Sequence, residues 1–134
     1  MRLEIFTDGG CSGNPGPAAI GVVIKQGGKD IKTLSRAIGQ GTNNIAEYTA
    51  LIAALQEALI LKADDVSVKT DSELMMKQVS GSYAVKHENI KPLFDQVKHL
   101  VTGFKSFQIT HVPREQNAEA DALVREALKK SKSG

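Results

Sequence analysis

The 134-residue sequence has no tryptophan, few other aromatic residues and a single cysteine. With aromatic residues at only 4%, a folded core must be built mainly from Val, Ile and Leu. The lone Cys11 excludes an intrachain disulfide and is typical of proteins from a reducing compartment. No run approaches the ~20 apolar residues of a membrane span, and the start of the sequence has no signal-peptide pattern. We therefore expect a cytoplasmic protein with no membrane partner.

Neither sign of charge dominates, because 17 Lys and Arg stand against 15 Asp and Glu, for a formal net charge of +2. This slight excess permits a nucleic-acid partner without arguing for one. A chain of 134 residues with 41% hydrophobic content is long enough for one core and short for two ordinary domains. We expect a single domain over residues 1–134, with a frayed tail from about residue 129. We also expect a monomer without an obligate protein partner.

The first strong pattern is a strand that leads into a carboxylate and a glycine-rich turn. Leu3 and Ile5 alternate with other residues as in a strand with unlike faces, and Asp8 is predicted to end it. Four glycines and two prolines within residues 9–17 exclude a helix, and a β-rich run follows over 18–24. The predicted hairpin places backbone N–H groups beside a carboxylate, as a metal-bound phosphate ligand requires. An ordinary Asp-Gly turn is the alternative.

The rest of the chain alternates between helix and strand patterns. A third strand over 31–38 completes an antiparallel meander. Apolar spacing and capping residues then predict helices over 45–62, 72–79, 88–101 and from Asn117 to Leu128, with strands over 66–71 and 107–112 between them. Alternating strands and helices imply right-handed crossovers and parallel pairing. We expect an α/β fold with a mixed five-stranded sheet and helices on both faces.

Four carboxylates occupy positions that predict a shared site. Asp8 and Asp71 each follow a threonine at the end of a strand, so they would emerge at the same sheet edge if the strands are parallel neighbours. Glu47 and Asp121 align with the apolar stripes of their helices, near the N-terminus. Each helical acid also has an ordinary interpretation, as a helix cap for Asp71, a capping-box partner of Asn44 for Glu47 and a dipole-stabilising acid for Asp121.

Four inward acids at one edge would repel one another unless cations lay between them, since like charges at short range resist joint ionisation. Carboxylate ligands without cysteine or clustered histidine favour hard ions, Mg²⁺ first and Mn²⁺ second. Two such ions can activate a water and stabilise the leaving oxygen of a phosphodiester. The carboxylates therefore predict metal-dependent phosphoryl hydrolysis.

Four segments, in this order, resemble the type 1 ribonuclease H family, which hydrolyses the RNA strand of RNA–DNA hybrids. They are FTDGGCSGNPGP at 6–17, TNNIAE at 42–47, TDS at 70–72 and NAEAD at 117–121. The resemblance implies a ribonuclease H-like sheet in the order 3-2-1-4-5 and cleavage that leaves 5′-phosphate and 3′-hydroxyl ends. It also implies two metal ions held by the family's four acidic ligands, which fall on Asp8, Glu47, Asp71 and Asp121.

The same resemblance implies further site residues. His111 matches a histidine thought to help product leave or to shuttle a proton, although a plain polar residue at a strand end is an equal alternative. The family's contacts to the minor groove of the hybrid match Gly9, Gly10, Cys11, Asn14, Asn43 and Asn44. Small residues there let the backbone approach the 2′-hydroxyl, which distinguishes RNA from DNA.

The sequence departs from the family at two places. Residues 82–88 are short where some members carry a lysine-rich, tryptophan-bearing protrusion, and Glu73 is acidic where the family often has a neutral polar residue. We expect a compact member without the protrusion or a separate hybrid-binding domain. Such a member would attract phosphate weakly through scattered lysines, although scattered lysines are more often just a solvated face: Lys86, Lys91, Lys98 and Lys105.

Two other functions stay open. One is a non-catalytic nucleic-acid-binding module of the same fold, against which a complete acidic set argues. The other is a nuclease of this fold with another substrate, such as branched DNA or double-stranded RNA.

Overall fold

The structure is a computed structural model that describes residues 1–133. Its elements are β1 (Arg2–Cys11), β2 (Gly16–Gln26), β3 (Lys29–Gly41), α1 (Asn43–Ile60), β4 (Asp65–Thr70), α2 (Glu73–Val79), α3 (Lys91–Val101), β5 (Ser106–His111) and α4 (Ala118–Ser133), with a 3-10 turn at Arg114–Asn117. The sheet order is β3-β2-β1-β4-β5, antiparallel from β1 to β3 and parallel from β1 to β5. The predicted fold class, strand order and strand directions are confirmed.

The sheet is covered on one face by α1 and on the other by α4. Leu3 and Ile5 are fully buried in the main core, which they share with α1 and α3. Helix α4 packs against β2, β3 and β1, where its Val124 joins a smaller cluster with Ala19. Strand β1 therefore contacts a helix on each face of the sheet, while its buried Leu3 and Ile5 belong to the main core. No described helix is both long and apolar enough to cross a membrane.

The first strand is longer than predicted, and Asp8 does not end it. Antiparallel pairing with β2 carries β1 on to Cys11, opposite Ala18, despite the glycines. The parallel pairing with β4 stops at the Thr7–Thr70 pair. Strands β1 and β4 therefore separate after this pair, and the sheet edge at which Asp8 and Asp71 were predicted to emerge lies there. Strand β3 likewise extends beyond the predicted 31–38, because β2 pairs with it over almost its full length.

Two predicted helix starts are wrong. Thr42, and not Asn44, caps α1, because its Oγ1 accepts a hydrogen bond of 3.2 Å from the Ile45 N–H. A capping box between Asn44 and Glu47 is therefore absent. Helix α3 begins at Lys91, later than the predicted residue 88, and the segment 80–90 before it contains no helix.

One predicted cap is confirmed in part and another is wrong. Of the predicted cap Asp71-Ser72, it is Ser72 that caps α2, because it accepts a hydrogen bond from the Met75 N–H at 3.2 Å, and Asp71 does not serve as the cap. Asn117 does not cap α4, because its buried side chain donates to the Thr7 carbonyl oxygen at 2.9 Å. Helix α4 continues to Ser133, past residue 129 where fraying was expected, and Gly134 lies outside the described residues.

Candidate active site

Two glycines let a helix from each face of the sheet approach the middle of β1. A methyl group at Gly9 would overlap the backbone of α1 at Glu47, and one at Gly21 would overlap the backbone of α4 next to Asp121. Gly21 is the β2 residue opposite Asp8, and Gly9 follows Asp8 in the chain. The missing side chains therefore allow Glu47 and Asp121 to come close to Asp8 from opposite layers.

The four predicted acids are brought together. One carboxylate oxygen each from Asp8, Glu47 and Asp71 lies within 4.8 Å of the other two. Asp121 lies beside Asp8, and all four line one cleft of about 720 Å³. Asp8 is only 7% exposed, whereas Asp71 and Asp121 are partly open to solvent. The cleft therefore places the buried Asp8 among three other acids.

Burial and mutual repulsion disfavour full ionisation of this cluster. Desolvation, followed by the charges of Asp71 and Asp121, raises the pKa of Asp8 from 3.8 to about 7. Desolvation, together with the charges of Asp8 and Asp71, raises the pKa of Glu47 well above 4.5. A backbone hydrogen bond from Gly9 opposes both pKa shifts without cancelling them. The protein alone therefore holds these acids in an unfavourable state at neutral pH.

The donor chemistry of the cluster fits a hard divalent cation. The Oε2 atom of Glu47 is buried and has no hydrogen-bond partner among the described residues. A buried carboxylate oxygen without a partner is costly, and a bound cation would satisfy it. All of the donors are carboxylate oxygens, the ligand type that Mg²⁺, Ca²⁺ and Mn²⁺ prefer. The cluster can therefore hold a metal ion.

His111 lies on the wall of the same cleft, as the last residue of β5. Its side chain is 38% exposed, and its Nδ1 lies 3.8 Å from Oε2 of Glu73. The other carboxylate oxygen of Glu73 lies 3.2 Å from Nζ of Lys77. Glu73, which departs from the family pattern, is therefore a charged neighbour of His111. This contact was not predicted from the sequence.

The residues predicted to contact substrate line the cleft or the groove beside it. Gly9, Gly10, Cys11 and Asn43 line the cleft, and Asn14, Asn43 and Asn44 line the neighbouring groove. Asn43 Oδ1 accepts hydrogen bonds of 3.2 Å from both the backbone N–H and the thiol of Cys11. Asn14 Oδ1 accepts one of 3.1 Å from the Asn43 N–H. These bonds join the end of β1 to the start of α1.

Two arginines in the cleft were not predicted. Arg125 lies one helical turn after Asp121, and its Nε is 3.1 Å from the Asp121 carboxylate. The four-residue spacing could have signalled this pair. Arg114 reaches the cleft from the 3-10 turn, a segment with no periodicity from which to infer direction.

A mixed sheet in the order 3-2-1-4-5, with four carboxylates gathered from β1, α1, the end of β4 and α4, defines the ribonuclease H-like class of proteins. Comparison with known proteins agrees. A family model described as "Reverse transcriptase-like" matches residues 6–127. Ribonuclease HI of Halobacterium salinarum is 43% identical over 128 residues, covering 95% of this chain and 64% of the relative. Ribonuclease H of a Chelativorans species is 31% identical, covering 99% and 91%.

Solved structures give the same result. RNase H1 from Halobacterium salinarum superposes with a TM-score of 0.94 at 42% identity, covering 97% of this chain and 99% of that one. LC11-RNase H1, solved in complex with an RNA/DNA hybrid, has a TM-score of 0.92 at 44% identity, covering 96% and 98%. The chain belongs to the type 1 ribonuclease H family. It spans less than two thirds of the length of the archaeal relative.

Proposed function

We propose that this chain is an endonuclease that hydrolyses the RNA strand of RNA–DNA hybrids and leaves 5′-phosphate and 3′-hydroxyl ends. The observation that carries the proposal is the gathering of four carboxylates in one cleft, with a buried and unpartnered oxygen on Glu47. Family membership supports the reaction, and the RNA/DNA hybrid bound to LC11-RNase H1 supports the substrate class.

Two Mg²⁺ or Mn²⁺ ions, held by Asp8, Glu47, Asp71 and Asp121, would activate a water and stabilise the leaving 3′ oxygen when bound. The protein supplies the placement of the ligands. Asp8 lies between acids from both helix layers, so its carboxylate is placed to share a bound ion with each of them. Glu47 would contribute its buried Oε2 atom, while Asp71 and Asp121 are partly exposed on the side from which a substrate would approach. Asp8 must lose its proton before it can act as a ligand.

The remaining site residues have supporting roles. His111, beside Glu73 at the edge of the cleft, would accept or donate a proton through its imidazole as product leaves. The backbone of Gly9, Gly10 and Cys11, with the amides of Asn14, Asn43 and Asn44, would contact the minor groove of the hybrid. The close approach of the backbone allows the 2′-hydroxyl to be read. A cytoplasmic location and a monomeric state stay predictions.

The experiment compares labelled RNA–DNA hybrid, double-stranded RNA and double-stranded DNA in Mg²⁺ or Mn²⁺. We expect the RNA of the hybrid to be cut, and excess EDTA to abolish the cutting. Asp71→Asn should reduce cleavage by more than about 100-fold while the protein still binds hybrid, because a charged ligand is lost without loss of shape. Asp95→Asn, at an exposed position of α3, is the matched control and should cleave normally.

Two outcomes would contradict the proposal. An unchanged rate in Asp71→Asn would show that the acidic cluster does not catalyse the reaction. Binding of hybrid with no cleavage by the unaltered chain in either metal would favour the non-catalytic binding module. Preferential cleavage of another duplex would retain the metal chemistry and change the substrate.

A further inference from the structure

The 3-10 turn Arg114–Asn117 is attached at both ends to the strands that carry the acids. Before the turn, the Val112 N–H donates to the Thr70 carbonyl oxygen at 2.8 Å. At its end, the buried Asn117 amide donates to the Thr7 carbonyl oxygen at 2.9 Å. Thr70 and Thr7 directly precede Asp71 and Asp8. The turn is therefore held in a fixed place relative to the acidic cluster.

Arg114 projects from this turn into the cleft wall. The side chain is exposed, and the structure gives it no hydrogen bond or ion pair with any other described residue. Arg125, which lines the same cleft, is in contrast occupied by Asp121 at 3.1 Å. A guanidinium that stands beside four acids without pairing with them is available for an anion from outside the protein. An arginine that is merely solvated is the ordinary alternative.

We infer that Arg114 binds a backbone phosphate of the nucleic acid strand that lies over the acidic cluster, a deepening that rests on the proposed function. The planar guanidinium matches a phosphate with two parallel hydrogen bonds, and a fixed turn reduces the entropy lost when they form. A positive charge beside the acids also offsets their repulsion of the polyanionic substrate. The segment 80–90 contains no helix that could provide a basic protrusion, so contacts within the cleft matter more for affinity.

The test measures binding and turnover of one labelled RNA–DNA hybrid. Binding is measured by fluorescence anisotropy in the Asp71→Asn background, which prevents cleavage, over a series of salt concentrations. Arg114→Gln should weaken binding about 5- to 20-fold at low salt and reduce the slope of log Kd against log salt by about one unit. Arg114→Lys keeps the charge but loses the planar fork, so it should restore the slope and only part of the affinity. In the chain with Asp71 intact, Arg114→Gln should raise KM more than it lowers kcat.

Arg2→Gln is the matched control, because the substitution removes the same charge. Arg2 is exposed at the start of β1, away from the end of the strand that carries Asp8. Equal affinity and equal salt slope for Arg114→Gln and Arg2→Gln would overturn the inference while hybrid cleavage by the unaltered chain upholds the proposed function. If the unaltered chain neither binds nor cleaves the hybrid, both are overturned. Thermal unfolding of Arg114→Gln should match that of the control, since the residue is exposed and its side chain makes no hydrogen bond or ion pair with another described residue.

Discussion

At the residue scale, the ionised carboxylate of Asp8 destabilises the folded protein. Its pKa is about 7 in the folded chain and is near 3.8 when unfolded, because desolvation and the charges of Asp71 and Asp121 disfavour its ionised form. The folded state therefore binds more protons than the unfolded state between these values. The contribution of Asp8 to the free energy of unfolding therefore falls as pH rises from about 4 to about 7.

We predict that Asp8→Asn stabilises the metal-free protein at pH 8 by roughly 1–3 kcal/mol, because it removes the unfavourable charge and keeps the shape. The advantage should shrink as pH falls and vanish near pH 4, where Asp8 is already neutral. Urea unfolding in EDTA at both pH values measures it.

Asp64→Asn provides a control of opposite sign. The N-terminal ammonium, 2.7 Å away, lowers the pKa of Asp64, so its charge is favourable in the folded state and the substitution should not stabilise the protein at pH 8. An Asp8→Asn variant that is no more stable than the parent at pH 8 would show that the Asp8 carboxylate is well solvated or compensated.

Strand ends and helical stripes have a definite direction, and this pointed Asp8, Asp71, Glu47 and Asp121 towards one sheet edge. The strand order that makes them neighbours came from the resemblance to the family. The role of Asn117 could not be predicted in this way. A residue before a helix ordinarily caps it, and only the packing of α4 on the sheet turns this amide towards the Thr7 carbonyl. Arg114 was missed for the same reason, since a 3-10 turn has no repeating face.

At the element scale, pairing partners rather than local propensity determine where the strands end. The glycines after Asp8 indicate a turn when they are considered alone, but β2 continues the antiparallel ladder to Cys11. Parallel pairing was predictable from the alternation of strands and helices, and strand order only from the resemblance to the family, whereas strand length depends on a neighbour that lies elsewhere in the sequence. The same applies to α1, where the cap is Thr42 and the chemically similar Asn44 lies inside the helix.

The approach of α1 and α4 to the sheet depends on two glycines, and we predict that Gly9→Ala and Gly21→Ala each destabilise the protein by about 2–4 kcal/mol. A methyl group at either position meets helix backbone, which cannot move aside as a flexible side chain would. Both variants should also bind Mn²⁺ more weakly, measured by titration calorimetry, since Glu47 or Asp121 is pushed away from Asp8.

Gly41→Ala is the control for these variants. Its added methyl group would lie 3.5 Å from the Ala18 side chain, an ordinary contact distance, so both stability and metal affinity should stay close to those of the parent. If Gly9→Ala proves as stable as Gly41→Ala, the close approach of α1 is not required by the fold.

At the scale of the whole molecule, the fold brings together charges that come from distant parts of the chain and disfavour one another. Four separate elements each deliver one acid, and the core formed by α1, α3 and the sheet supplies the stability that offsets the repulsion. Such strain is tolerable at a functional site because a ligand relieves it. A cation that binds the cluster should therefore stabilise the entire fold and not only the loops around the cleft.

We predict that millimolar Mg²⁺ or Mn²⁺ raises the Tm of the protein by roughly 3–8 °C at pH 8 and by much less at pH 5.5. At pH 5.5 the ion must displace the proton that Asp8 holds below its pKa of about 7, and Glu47 adds to this competition because its pKa is raised as well. At pH 8 Asp8 has already lost that proton, so binding stabilises the fold more. Differential scanning fluorimetry at the two pH values measures the change, and Asp8→Asn should lose most of the increase at pH 8. An equal rise at both pH values, or an undiminished rise in Asp8→Asn, would mean that the cation stabilises the protein from another place.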